Sequence, residues 1–135
     1  MSTALFIVLQ EDILGFDAFV NGKALSGESE ALDALARGAN VKPLMEFFSL
    51  DPGSAADLLE EFGGAQDALA NSLPAEQWFN AQEGLATVSA LLDRVQLEPA
   101  LVRDAVAVIR ELNEFRDVLT KADQAGVGWR LAVDF

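Results

Sequence analysis

The C-terminal stretch Gly126-Val-Gly-Trp-Arg-Leu-Ala-Val-Asp-Phe135 decides the fold class of this chain. Trp129, Leu131, Val133 and Phe135 alternate with Arg130, Ala132 and Asp134, the period-two pattern of a strand with one apolar and one half-polar face. Just upstream the period changes. Leu101, Ala105, Val108, Leu112, Phe115, Leu119 and Ala122 recur at steps of four and three, which places them on one stripe of a long helix. Arg103, Arg110, Asp117 and Lys121 fall off that stripe and are expected in solvent. Pro99 is expected to open the helix and Gly126 to end it in a left-handed cap.

Before that helix, Leu85, Val88, Leu91, Leu92 and Val95 give a second helical face. Asn80 is placed to cap it, with Glu83 three residues later reaching back to the free amide. Gln77-Trp78-Phe79 reads as a short strand leading in. At the other end of the chain, Ala4 to Leu9 is a six-residue apolar run containing Phe6, Ile7 and Val8, the pattern of a buried strand. No lysine or arginine precedes the run, and it is too short for a signal peptide core or for a membrane helix of about 20 residues. A soluble, cytoplasmic protein is the expectation. Asn21-Gly22 is either a hairpin turn or a helix stop. Glu30 to Arg37 reads as a short helix stopped by Gly38, and Pro43 as the opening of another short helix over Leu44 to Phe48. Ser54 with Asp57 resembles a capping box for a helix that Gly63-Gly64 closes. Two terminal strands bracketing helices give an α+β fold: a small sheet that includes both terminal strands, covered by several helices, in a single domain over residues 1–135.

Three segments carry a resemblance as a set. They are Asn21-Gly-Lys-Ala-Leu25 leading to Val41-Lys-Pro-Leu-Met-Glu-Phe-Phe-Ser49, then Gln77-Trp-Phe-Asn-Ala-Gln-Glu-Gly-Leu85, and the closing Gly126 to Phe135. Together they resemble a group of small, acidic bacterial proteins. The order of elements is also loosely similar to the YfbM-like family, which has an aromatic-apolar first strand, a capped helix after an aromatic pair, and a long helix, glycine and strand at the end. The resemblance implies the fold and brings no activity, cofactor or site residue with it.

Composition narrows function mainly by exclusion. The chain has no histidine, cysteine or tyrosine and a net charge of −13 over 135 residues. Proton transfer would therefore fall to carboxylates or lysines with displaced pKa values, and nucleophilic attack to serine, threonine, lysine or a carboxylate. Without imidazole or thiolate no tight transition-metal site is expected, and no phosphate loop, dinucleotide fingerprint or calcium loop is present, so no cofactor is expected. From Pro43 to Asp93 there are nine acidic residues and no lysine or arginine. That middle would repel nucleic acid and anionic membrane alike and attract a basic protein, although an acidic surface also serves solubility alone. Asp57, Glu60, Glu61 and Asp67 are the candidate partner contacts, because they lie on or beside a short segment bounded by glycines. Glu11, Asp12, Asp17, Arg130 and Asp134 are the candidate ligand site, on the argument that neighbouring terminal strands would bring acids and a guanidinium together. Lys23 and Lys42 are further candidates for anion recognition, and Trp78 and Trp129 read as core residues. The expected function is a non-enzymatic protein-binding module, immunity- or inhibitor-like. The competing class is a small-molecule binding protein or carboxylate-based enzyme with its site beside the terminal strands. Oligomeric state is left open.

Overall fold

The structure, a computed structural model, describes residues 4–13, 15–16, 20–49 and 77–134, the last without its side chain. Strands β1 (Ala4–Leu9) and β2 (Trp129–Asp134) form an antiparallel pair, with Ala4 opposite Asp134 and Leu9 opposite Trp129. The fold is α+β, with both terminal strands in the sheet and helices α1 (Lys23–Gly27), α2 (Ser29–Gly38), α3 (Ala81–Leu97) and α4 (Ala105–Ala125) among the described residues. Among the described residues no helix is long and apolar enough to cross a membrane.

β2 has neighbours on both edges. Opposite β1, Phe48 bridges Leu131 and Phe79 bridges Trp129, so the segment before α3 adds one strand-like residue to the sheet. Phe79 exchanges two backbone hydrogen bonds with Trp129, at 2.8 and 3.0 Å. This central position changes the expected burial. Trp129 and Leu131 are fully buried as the alternation requires, but Arg130 and Ala132 on the other face are buried too. The half-polar face is therefore covered rather than solvated.

α3 and α4 pack against each other and supply nearly half of the core. Val88, Leu91, Leu92 and Val95 of α3 face Val108, Leu112, Phe115, Leu119 and Ala122 of α4, all essentially inaccessible. Arg103, Arg110, Asp117 and Lys121 are exposed, as their phase requires. The start of α4 differs from the sequence expectation. Pro99 opens a single 3-10 turn (Pro99–Leu101), and α4 begins only at Ala105, where the Asp104 carboxylate accepts from the Ala107 amide at 3.1 Å. A proline's fixed φ suits either helix type, so the side-chain cap decides where α4 starts. Leu101, ahead of that start, is left exposed. Gly126 ends α4 with φ of 68°, the left-handed cap expected.

Two other local expectations are revised. Asn80 does cap α3, but its side chain accepts from Gln82, and Glu83 turns instead toward Lys42 at 4.0 Å. Pro43 precedes the 3-10 turn Leu44–Phe47 as its cap rather than its first residue.

Asn21-Gly22 makes neither a hairpin turn nor a helix stop. Gly22 bridges Leu5 on the outer edge of β1 and caps α1. A Cβ at Gly22 would lie 2.6 Å from the Leu5 carbonyl oxygen, so the close backbone approach requires glycine. Gly84 plays a similar part inside α3, where a Cβ would fall 2.5 Å from Cζ2 of Trp129. The missing side chain lets the buried indole lie against the helix. Its Nε1–H donates to the Asn80 carbonyl at 3.2 Å, and its ring meets Phe47 at 4.7 Å.

Candidate functional site

Arg130 sits mid-strand opposite Val8. Its Nη1 donates to the Ser49 carbonyl at 2.7 Å, and its guanidinium carbon lies 5.4 Å from the centre of the Trp78 ring. A planar cation buried against an aromatic face and hydrogen-bonded through Nη1 is a favourable arrangement. Ser49 in turn grips the far side. Its hydroxyl donates to the Gln77 carbonyl at 3.0 Å and accepts from the Gln77 amide at 3.2 Å, while its own amide donates to Leu131. Residues 49 and 77 are thus pinned to each other and to β2 through three residues of different elements. The span between them, residues 50–76, contains six acidic residues and no lysine or arginine. Asp57, Glu60, Glu61 and Asp67 belong to that span and lie outside the described residues, as do Ser54 and the Gly63-Gly64 pair.

Of the candidate ligand set, the structure describes the side chains of Glu11, Asp12 and Arg130. Glu11 and Asp12 are exposed in the turn that follows β1 and form no ion pair with it. Asp134 pairs through its backbone with Ala4, at the opposite end of the sheet from that turn, roughly 13 Å along the strand from Arg130. Asp17 lies outside the described residues. The terminal strands are neighbours, the condition on which that candidate site rested, and Arg130 lies opposite Val8. What the alternation on β2 could not show was the Ser49 carbonyl on the other edge, which takes up the guanidinium.

Of the two lysines, Lys42 is engaged locally, its Nζ 4.5 Å from the centre of the Phe79 ring and 5.1 Å from that of Phe47. Lys23 lines a cleft of about 510 Å³ between α1 and the first turns of α4, together with Asn21, Asp104, Arg110, Glu111 and Glu114. At its floor lies the feature that sequence reasoning missed. Glu111 is only 4% exposed, and its two carboxylate oxygens accept from the Ala24 amide at 3.1 Å and the Leu25 amide at 3.0 Å. A residue 86 positions away thereby supplies the N-terminal cap that Gly22 has no side chain to give. The sequence signal was available: Glu111 stands three residues after Val108 and four before Phe115, on the edge of the apolar stripe.

Two threonine hydroxyls are also occupied: Thr87 donates to the Lys42 carbonyl at 2.6 Å and Thr120 to the Arg116 carbonyl at 2.7 Å. Among the described residues no group of three acidic side chains is arranged to hold a metal ion. Arg37 is held above the ordinary guanidinium pKa by its hydrogen bond to Asp33, an exposed pair on one face of α2. No family model matches the chain, and neither a curated protein nor a solved structure matches it.

Proposed function

We propose that this chain is a non-enzymatic binding module, of the immunity or inhibitor type, which presents residues 50–76 to a basic protein. The observation that carries the proposal is the reciprocal hydrogen bonding of Ser49 and Gln77, backed by Arg130. It holds residues 49 and 77 against each other, and the sequence between them carries six acidic residues without a lysine or arginine. Like charges concentrated in one stretch of sequence give a local field that steers an oppositely charged partner, and the reading does not rest on any family resemblance. In this reading Asp57, Glu60, Glu61 and Asp67 make the contacts, and neither nucleic acid nor an anionic membrane is bound.

The test replaces these four by amides (Asp57→Asn, Glu60→Gln, Glu61→Gln, Asp67→Asn) and compares association kinetics with a captured partner across a salt series. The amides should slow association and leave dissociation nearly unchanged, because exposed charges act mainly on encounter. Salt should imitate them, as the Debye length falls from about 10 Å at 0.1 M to about 3 Å at 1 M. An on-rate indifferent to both changes would remove the proposal.

The competing reading, a small-molecule binding protein or carboxylate-based enzyme, is better supported at the cleft above Glu111 than beside the strands. That cleft has the volume of a metabolite site and two cations, Lys23 and Arg110, facing three carboxylates. A ligand-induced rise in melting temperature that survives high salt would favour it.

A further inference from the structure

Of the five asparagines in the chain, Asn21 alone precedes a glycine. That pairing is chemically labile. A main-chain amide nitrogen can attack the side-chain carbonyl carbon of a preceding asparagine, and a glycine amide, unshielded by a side chain, does so most readily. Packing nevertheless demands the glycine. A Cβ at residue 22 would fall 2.6 Å from the Leu5 carbonyl oxygen and 3.1 Å from the Phe115 ring. The junction between β1 and α1 therefore carries a reactive dipeptide that the fit at residue 22 preserves.

The two residues sit in different surroundings. Asn21 is exposed on the cleft above Glu111, whereas Gly22 is buried. The nucleophile is also held. The Gly22 N–H donates to the Leu5 carbonyl at 2.7 Å, and the Gly22 carbonyl accepts from the Leu5 amide at 3.1 Å and from the Ser26 amide at 3.0 Å. Behind it, Glu111 fixes α1 through the Ala24 and Leu25 amides. The Gly22 nitrogen can neither give up its proton nor swing toward Asn21 until the bridge to β1 opens, and opening it loads each of these bonds. We infer that Asn21-Gly22 is a self-modification site, which converts to aspartate and isoaspartate, and that the docking of α1 on β1 and α4 gates the conversion.

The reaction takes up water and releases ammonia. The Gly22 nitrogen bonds to Cγ of Asn21 and loses its proton, the Cγ–Nδ2 bond breaks, and the side-chain amino group leaves with that proton as ammonia. Water then opens the resulting succinimide at either carbonyl. The two products differ in consequence. Aspartate keeps the main chain and adds a carboxylate to the cleft that Lys23 also lines. Isoaspartate routes the main chain through Cβ, which inserts a carbon atom ahead of Gly22, so that residue no longer meets Leu5 and starts α1 in the same register. The site lies outside residues 50–76, and the two readings stand or fall separately.

Timed incubation of the full chain at mildly alkaline pH, followed by peptide mapping for aspartate and isoaspartate at position 21, tests the assignment. Conversion should be at least about tenfold faster in denaturing guanidinium chloride than in the folded parent, since each factor of ten corresponds to only about 1.4 kcal/mol of opening. In native buffer Glu111→Ala, which releases α1, should accelerate conversion at least about tenfold by the same conversion. Glu111→Gln keeps one acceptor and should fall between, so the test holds even where the alanine variant does not fold. The control Gly84→Ala loosens the packing against Trp129, away from α1, and should convert like the parent. Equal rates in the folded and unfolded parent, an unchanged rate in Glu111→Gln, acceleration by Gly84→Ala, or no product at position 21 in the unfolded chain would each overturn the inference.

Discussion

Replacing Glu111 tests how far a short helix depends on a carboxylate from the other end of the chain. α1 has five residues, too few to be stable alone, and no side chain of its own caps it. In Glu111→Ala the Leu25 amide loses its acceptor where the residue is completely buried, whereas Ala24 is partly buried beside the open cleft and can be met by water. A hydrogen bond to a charged group contributes about 1.5–3 kcal/mol and a water-replaceable one about 0.5–1.5 kcal/mol, so the loss should be about 2–4.5 kcal/mol. Glu111→Gln keeps one acceptor oxygen and turns an NH₂ group toward the second amide, for a loss of about 1–2 kcal/mol. At about 3–5 °C per kcal/mol for a chain of this size, the midpoint should fall by roughly 3–10 °C for Gln and roughly 6–22 °C for Ala. Desolvation opposes these numbers, because a buried carboxylate is itself costly and its removal recovers some of that free energy. Thermal unfolding ranks the variants, and amide hydrogen exchange at Ala24 and Leu25 localises the effect. Midpoints equal to the parent's, with unchanged exchange at both amides, would refute the reasoning and show that desolvation cancels the cap.

Gly84→Ala should destabilise, against the usual gain of about 1 kcal/mol for this change inside a helix. The new methyl would overlap the Trp129 ring, and overpacking of this kind costs about 1–3 kcal/mol. Gly38→Ala serves as the control, since a Cβ there meets nothing within 4 Å, and it should be neutral or slightly stabilising in the same denaturant titration. Asp104→Ala removes the α4 cap and should lower stability by about 1 kcal/mol, read as a shift of the urea midpoint without a change in slope.

The features legible in the sequence are those carried by successive residues. The 3.6-residue stripe from Val108 to Ala122, the period-two pattern of Trp129 to Val133, the cap at Asn80 and the left-handed Gly126 were all readable, and together they determined an α+β chain with its termini in the sheet. Each arises because a helix or strand maps nearby positions onto one face, so the pattern exists before anything docks. Where two local signals competed, as Pro99 and Asp104 did for the start of α4, the side chain that satisfies an orphan amide prevailed.

The tertiary structure decided everything that depends on which faces meet. Arg130 read as the polar side of a half-covered strand, and the bridges from Phe48 and Phe79 made that strand central and buried the guanidinium against Ser49 and Trp78. Gly84 lies inside a helix, where glycine has no local advantage, and the Trp129 ring made it a requirement. Glu111 found its role only when α1 docked on α4 and placed two amides against it. A buried polar group must find its partner wherever packing leaves one. Here those partners lie 81 and 86 positions away along the chain, far beyond any pattern that neighbouring residues can encode.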